Sequence, residues 1–251
     1  MKSILTNCLC LILCLPLNAQ IKEQYTNLKT YAFSDPDPIP ILKSNPKIYP
    51  YHKFEGYEQE GKLQDWKTIH LENDFIELWV LPEVGGKVWG AREKSTGEEF
   101  IYRNEVMKFR NIAMRGPWTS GGIEFNFGVI GHTPATATPV DYILEENEDG
   151  SLSCIVGAMD LPSRTQWRVR IRLPKDKAYF ETEALWYNPT PQHQAYYNWM
   201  TAAAATTEDL QFFCPGDQYV KHSGEVRPYP MEYGRNISNY NENDFAGSKS
   251  Y

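Results

Sequence analysis

Polar and apolar residues alternate over residues 165–173, and this pattern restricts the fold more than any other feature of the chain. Every second residue of the range is apolar or threonine, and the residues between them are Gln166, Arg168, Arg170 and Arg172. A period of two places the two sets on opposite faces of a β-strand. We therefore predict a half-buried strand whose arginine stripe is either a solvated outer face or a binding surface.

Turn signals separate further predicted strands. Glu148-Asp149-Gly150 is typical of a hairpin turn, and Asn73-Asp74 divides two other strand signals. Strands are expected at residues 66–70, 75–81, 84–91, 99–102, 140–145, 152–159, 178–188 and 194–200. The sequence has no convincing amphipathic helix and no repeat of solenoid period. These features predict an all-β, antiparallel sandwich or barrel.

Composition divides the chain into three regions. Residues 1–20 have the form of a signal peptide, with Lys2, an apolar run of about ten residues and a small residue, Ala19, for cleavage. Residues 21–48 are polar and proline-rich, which predicts an extended N-terminal segment or linker. Residues 49–251 carry the strand signals, and their polar end has no closing strand. We therefore expect export to a periplasm or beyond, and a β domain that is incomplete at its C-terminus.

Charge and cysteine content narrow the possible partners. Without Lys2 the chain has 24 basic and 32 acidic residues, a net charge of −8, which argues against a nucleic-acid partner. No apolar run after the leader is long enough for stable membrane insertion. Cys154 and Cys214 remain after cleavage, and they either pair or stay as separate thiols. Seven Trp and sixteen Tyr suit either stacking on sugars or a packed core.

A glycine-rich run at residues 116–134 contains the best candidate site. Alternation places Glu124 and Asn126 on one strand face, opposite two phenylalanines, and Trp118 and His132 flank the strand. A carboxylate, an amide, an imidazole and aromatic rings on a stiff strand suit the binding or processing of a sugar. The alternative is a glycine-rich hairpin in which the polar groups bond only to protein.

Glu124 and His132 are the candidate catalytic residues, because sugar ring opening needs one group to take a proton and another to give one. The candidate substrate-binding residues are Arg115, Trp118, Asn126, Asn198, Trp199 and His222. Arg115 suits an anionic glycan group, or else a structural ion pair. His132 and His222 lack the spacing of a metal motif, so neither a metal nor another cofactor is expected.

Several motifs together resemble one family, the domain of unknown function 5107. The motifs are residues 81–91, 94–104, 115–128, 131–134 and 199–203. That family is similar in turn to the galactose-mutarotase-like supersandwich, which implies a large antiparallel fold and carbohydrate handling. Aldose epimerases of that fold have an Asn-His pair in a central strand, whereas this chain has Asn198-Trp199.

The sequence thus predicts an exported protein that binds or processes glycans in a bacterial envelope. An epimerase-like isomerase, a glycoside hydrolase and a non-catalytic glycan-binding or envelope-assembly module remain open as classes. The expected partner is a saccharide, and the sequence leaves the oligomeric state open.

Overall fold

Strands make up nearly all of the regular structure. A computed structural model describes residues 19–33, 36–40, 52–54, 58–111, 117–128, 132, 134–221 and 223–242. Over these residues it contains one 3₁₀ turn, Pro134–Thr136, no α-helix, and thus no helix that could cross a membrane. The chain divides into two units, Met1–Ala203 and Ala204–Tyr251. The all-β prediction is confirmed.

The strands of the first unit follow in chain order. They are β1 (Gln20–Tyr31), β2 (Pro36–Pro40), β3 (His52–Phe54), β4 (Lys62–Glu72), β5 (Ile76–Leu81), β6 (Lys87–Glu93), β7 (Glu99–Ile101), β8 (Val106–Lys108), β9 (Arg110–Asn111), β10 (Pro117–Trp118), β11 (Ile123–Gly128), β12 (Asp141–Glu146), β13 (Leu152–Met159), β14 (Gln166–Leu173), β15 (Glu181–Tyr187) and β16 (Tyr197–Ala202). The second unit contains β17 (Gln218–Val220), β18 (Val226–Pro228), β19 (Met231–Glu232) and β20 (Arg235–Asn236).

Two sheets form the first unit's layers. The main sheet has the order β16-β11-β6-β5-β4-β1-β8, with β7 beside β6. All its pairs are antiparallel except the short pairing of β1 with β8. The second sheet is the antiparallel meander β12-β13-β14-β15. The predicted hairpin joins β12 to β13, and the Gly150 amide donates to the Asn147 carbonyl in its turn.

The hydrophobic core lies between these two sheets. Phe127 of the main sheet stacks on Trp167 of the second, with ring centroids 5.0 Å apart and planes 6° from parallel. Other buried members of this core are Ile69, Leu71, Ile76, Leu78, Val80, Val88, Phe125, Cys154, Val156, Val169 and Ile171. A second cluster covers part of the main sheet's outer face with Trp66, Trp79, Leu81, Val84, Trp89, Met107, Phe109 and Ala137. Strand β5 is buried on both faces as a result.

The first part of the N-terminal segment is a strand of the main sheet. Residues Gln20–Tyr31 form β1, which pairs with β4 from Gln20 to Thr30. Most of its side chains are exposed. The sequence of this strand therefore shows no alternation of apolar and polar residues. Backbone hydrogen bonds to β4 hold it instead. The predicted signal peptide lies outside the described residues, apart from Ala19 and Gln20.

The second unit is small and built from two hairpins, β17–β18 and β19–β20. Its buried carboxylate, Glu232, accepts a hydrogen bond from the Tyr219 hydroxyl at 2.6 Å. The Lys221 ammonium lies 3.3 Å from the same carboxylate. The hydrogen bond from Tyr219 and the charge of Lys221 hold the pKa of Glu232 below its ordinary value.

Candidate functional site

Strand β11 separates the core from the candidate site. Phe125 and Phe127 enter the core between the sheets, so Glu124 and Asn126 lie on the opposite, outer face. Residues directly opposite one another on paired strands share a face. Asn126 is opposite Trp199 of β16, which brings that ring to the same face as Glu124.

The Glu124 carboxylate is the centre of a hydrogen-bonded group. The Trp118 indole N–H donates to Oε2, and the Asn126 amide donates to Oε1. His132 Nδ1 lies 3.3 Å from Oε1, an ion-pair distance without the alignment of a hydrogen bond. Burial raises the pKa of Glu124, but its contacts with His132, Asn126 and Trp118 outweigh burial, so the pKa lies below its usual value. The carboxylate is therefore charged at neutral pH.

His132 is held in a backbone conformation that residues other than glycine rarely adopt. Its φ is 55°, and its backbone N–H donates to Asn126 Oδ1 at 2.6 Å. The imidazole meets Trp199 edge-on at 4.5 Å between centroids, and Trp118 at 6.1 Å. Strain of this kind persists where surrounding contacts impose it, and it is found often at functional sites. We call Trp118, Glu124, Asn126, His132 and Trp199 the carboxylate–aromatic cluster.

The glycines before β11 serve the packing of the main sheet. Gly122 has a φ of 68°, and a Cβ there would lie 2.0 Å from the Val88 carbonyl oxygen of β6. Its N–H donates to the Tyr102 carbonyl. Gly121 faces the Asn104 side chain. These glycines therefore let β11 approach its neighbours closely.

Lys87 is a member of this region that the sequence analysis did not single out. It lies on β6, is 2% exposed, and its Nζ donates to the Thr119 carbonyl at 2.9 Å. Burial lowers the pKa of Lys87 to about 8, and the nearby Glu124 carboxylate opposes that effect. The sequence signal for a buried lysine is a single charged residue in the otherwise apolar range 84–91.

The predicted site residues divide into three groups. Trp118, Glu124, Asn126, His132 and Trp199 come together in the cluster. Arg115 and His222 lie outside the described residues. Asn198 is not brought into the cluster, because it is exposed and lies opposite Phe127 in the β11–β16 ladder, on the other face of the sheet from Glu124.

The Glu124 carboxylate is almost closed to solvent. It is 3% exposed, and its hydrogen bonds in the described part of the chain are to protein groups. This geometry suits a carboxylate that orients Trp118, Asn126 and His132. It does not give a substrate direct access to the carboxylate.

A cluster of one histidine and two glutamates is paired with basic side chains of the protein. Donor atoms of His70, Glu72 and Glu77 lie within 4.8 Å of one another, close enough for a metal ion. Arg92 already pairs with Glu77, and Lys94 lies 3.2 Å from Glu72, so cations of the protein neutralise both carboxylates.

The arginine stripe of β14 lies on the outer face of the second sheet, beside an open groove of about 740 Å³. Arg172 forms ion pairs with Asp149 and Glu181, and Arg170 lies 4.0 Å from both Glu145 and Glu183. These ion pairs fit a solvated outer face, which was one of the two interpretations of the arginine stripe.

The fold and the cluster define a class of protein: a two-sheet all-β domain with a buried carboxylate beneath aromatic rings. The family described as a domain of unknown function (DUF5107) matches residues 43–251, and the chain belongs to that family. It is also similar to a crystal structure of a TPR-domain containing protein from Parabacteroides distasonis ATCC 8503. The identity is 24% and the TM-score 0.77, over 87% of this chain. The chain covers 38% of that protein's length, and the likeness concerns the fold alone.

Proposed function

We propose that the protein is an exported carbohydrate-binding protein that acts on glycans of a bacterial envelope. The observation that carries this proposal is the carboxylate–aromatic cluster, in which a charged, buried Glu124 fixes two rings and an amide. Indole and imidazole rings offer flat apolar faces beside polar edges, a combination that matches the faces and hydroxyl groups of a sugar. The proposed fold is the galactose-mutarotase-like supersandwich.

Binding without catalysis is the form of the proposal that the contacts favour. A general acid or base needs to come within hydrogen-bond reach of the proton that it moves. Both oxygens of Glu124 already accept hydrogen bonds from the protein. The His132 imidazole, with 14% of its side chain exposed, is the titratable group of the cluster nearer to solvent. An isomerase or hydrolase of this family would therefore use His132 as its proton carrier and Glu124 as the group that orients it.

The test is a panel of neutral and acidic bacterial saccharides, first on an array and then by calorimetry. Trp199→Ala should weaken binding about tenfold or more, equivalent to about 1.4 kcal/mol, because it removes a ring of the cluster. Asn198→Ala is the matched control on the same strand and the opposite face, and it should bind as the wild type does. Absence of binding to every saccharide would contradict the proposal, as would equal losses in the two variants.

Glu124→Gln tests the role of the carboxylate. An amide has one oxygen where the carboxylate has two, so either Trp118 or Asn126 must then face an NH₂ donor. We expect a loss of about 1–3 kcal/mol in the free energy of unfolding, measured by urea denaturation, together with weaker saccharide binding. Unchanged stability with loss of a measured turnover would instead identify Glu124 as a catalytic residue.

A further inference from the structure

The Lys87 ammonium is a buried charge with few partners. It has three N–H donors, and its one hydrogen-bond acceptor among the described residues is the Thr119 carbonyl at 2.9 Å. The Trp89 ring lies 5.6 Å from Nζ. A buried ammonium is costly unless it is paired, so its presence in the main sheet calls for a reason beyond packing.

The contact with Thr119 connects Lys87 to the carboxylate–aromatic cluster. Thr119 directly follows Trp118, whose indole N–H is bonded to Glu124. Two hydrogen bonds thus fix adjacent residues, one at the Thr119 main chain and one at the Trp118 side chain. The Thr119 hydroxyl is buried without a hydrogen-bond partner in the described part of the chain, so the carbonyl is the group that Lys87 holds.

Among the described residues, few charges lie near Lys87. Glu124 on β11 is the charged group that acts on it, and His132 lies beyond Glu124. On β5 its opposite residue in the ladder is the apolar Leu81. The segment at Trp118 and Thr119 adds no charge. The Glu124 carboxylate therefore acts on the Lys87 ammonium through its charge, and the hydrogen bond of the ammonium goes to the Thr119 carbonyl.

We propose that Lys87 is a positioning residue of this site, whose ammonium holds the Thr119 carbonyl and thereby fixes the Trp118 ring against Glu124. Its importance for ligand binding rests on the proposed function, but its effect on Trp118 does not. Deprotonation would remove the charge that strengthens the bond to Thr119, because charge-assisted hydrogen bonds are roughly twice as strong as neutral ones. The environment of the Trp118 indole should then change with pH.

The experiment is an NMR titration of the indole N–H signals in the ligand-free protein from pH 6 to about pH 10. The chain has seven tryptophans, and Trp118→Phe assigns the signal of interest. The Trp118 signal should shift with an inflection at the pKa of Lys87, about 8. The same inflection should be absent in Lys87→Met and Lys87→Gln.

Two results would overturn the proposal. One is a set of indole N–H signals in the folded wild type that shows no inflection at the pKa of Lys87, a result that needs no variant. The other is an inflection at the same pH that persists in Lys87→Met, which would assign it to another group. Because no saccharide is present, failure of carbohydrate binding leaves this test intact, and failure of this test leaves the binding proposal intact.

Discussion

The burial of Lys87 makes a prediction about stability as a function of pH. The pKa falls from 10.5 in the unfolded chain to about 8 in the folded protein. Between these values the unfolded chain carries a proton that the folded chain lacks, so the free energy of unfolding rises with pH. Each tenfold change in proton affinity is worth about 1.4 kcal/mol. The gain expected between pH 7 and pH 10.5 is therefore about 3 kcal/mol.

The assay compares the wild type with Lys87→Met by urea denaturation, followed by tryptophan fluorescence, at a series of pH values. All other titrating groups are common to the two chains, so the difference between them isolates Lys87. That difference should move by about 3 kcal/mol in favour of the wild type as pH rises. Lys62→Met, at a side chain 76% exposed, is the control and should follow the wild-type profile. A difference between wild type and Lys87→Met that is the same at every pH would refute the reasoning.

Two further predictions concern close packing and thiol chemistry. Gly122→Ala should destabilise the fold by about 2 kcal/mol or more, since its Cβ would meet a carbonyl oxygen at 2.0 Å. Gly97→Ala, with a similar φ and open space, should cost less, and equal losses in urea denaturation would contradict this explanation. Cys154 and Cys214 are free thiols. In a chain that begins at Gln20, Cys214 should react with a thiol reagent while folded. Cys154 should react only after unfolding, because burial raises its pKa to about 12.

Alternation along single strands allowed much of the fold to be predicted. The period of two in β14 and β11 follows from local geometry, so it also placed Glu124 and Asn126 on one face correctly. Strand β1 could not be found in this way, because its polar side chains are mostly exposed and its pairing with β4 is a matter of backbone contacts.

Contacts between distant residues set the limit of the site prediction. The face of Asn198 depends on the register between β16 and β11, which no local pattern reveals. Lys87 contacts Thr119 across 32 residues of sequence. The proposed role of Lys87 depends on that buried hydrogen bond and on the nearby Glu124 carboxylate, and no local pattern predicts either contact.

The position of β11 and β16 in the chain has a consequence for how the site assembles. These two strands pair along their whole length, yet all of β12–β15 lies between them in sequence. The pairing closes a long loop, and loop closure of this kind is slow in folding because its entropy cost comes before its contacts form. We therefore expect the meeting of Asn126 with Trp199 to be a late event in folding that depends on the meander between them. A destabilising substitution in the second sheet should slow the assembly of the carboxylate–aromatic cluster, even if the final structure of β11 and β16 is unchanged.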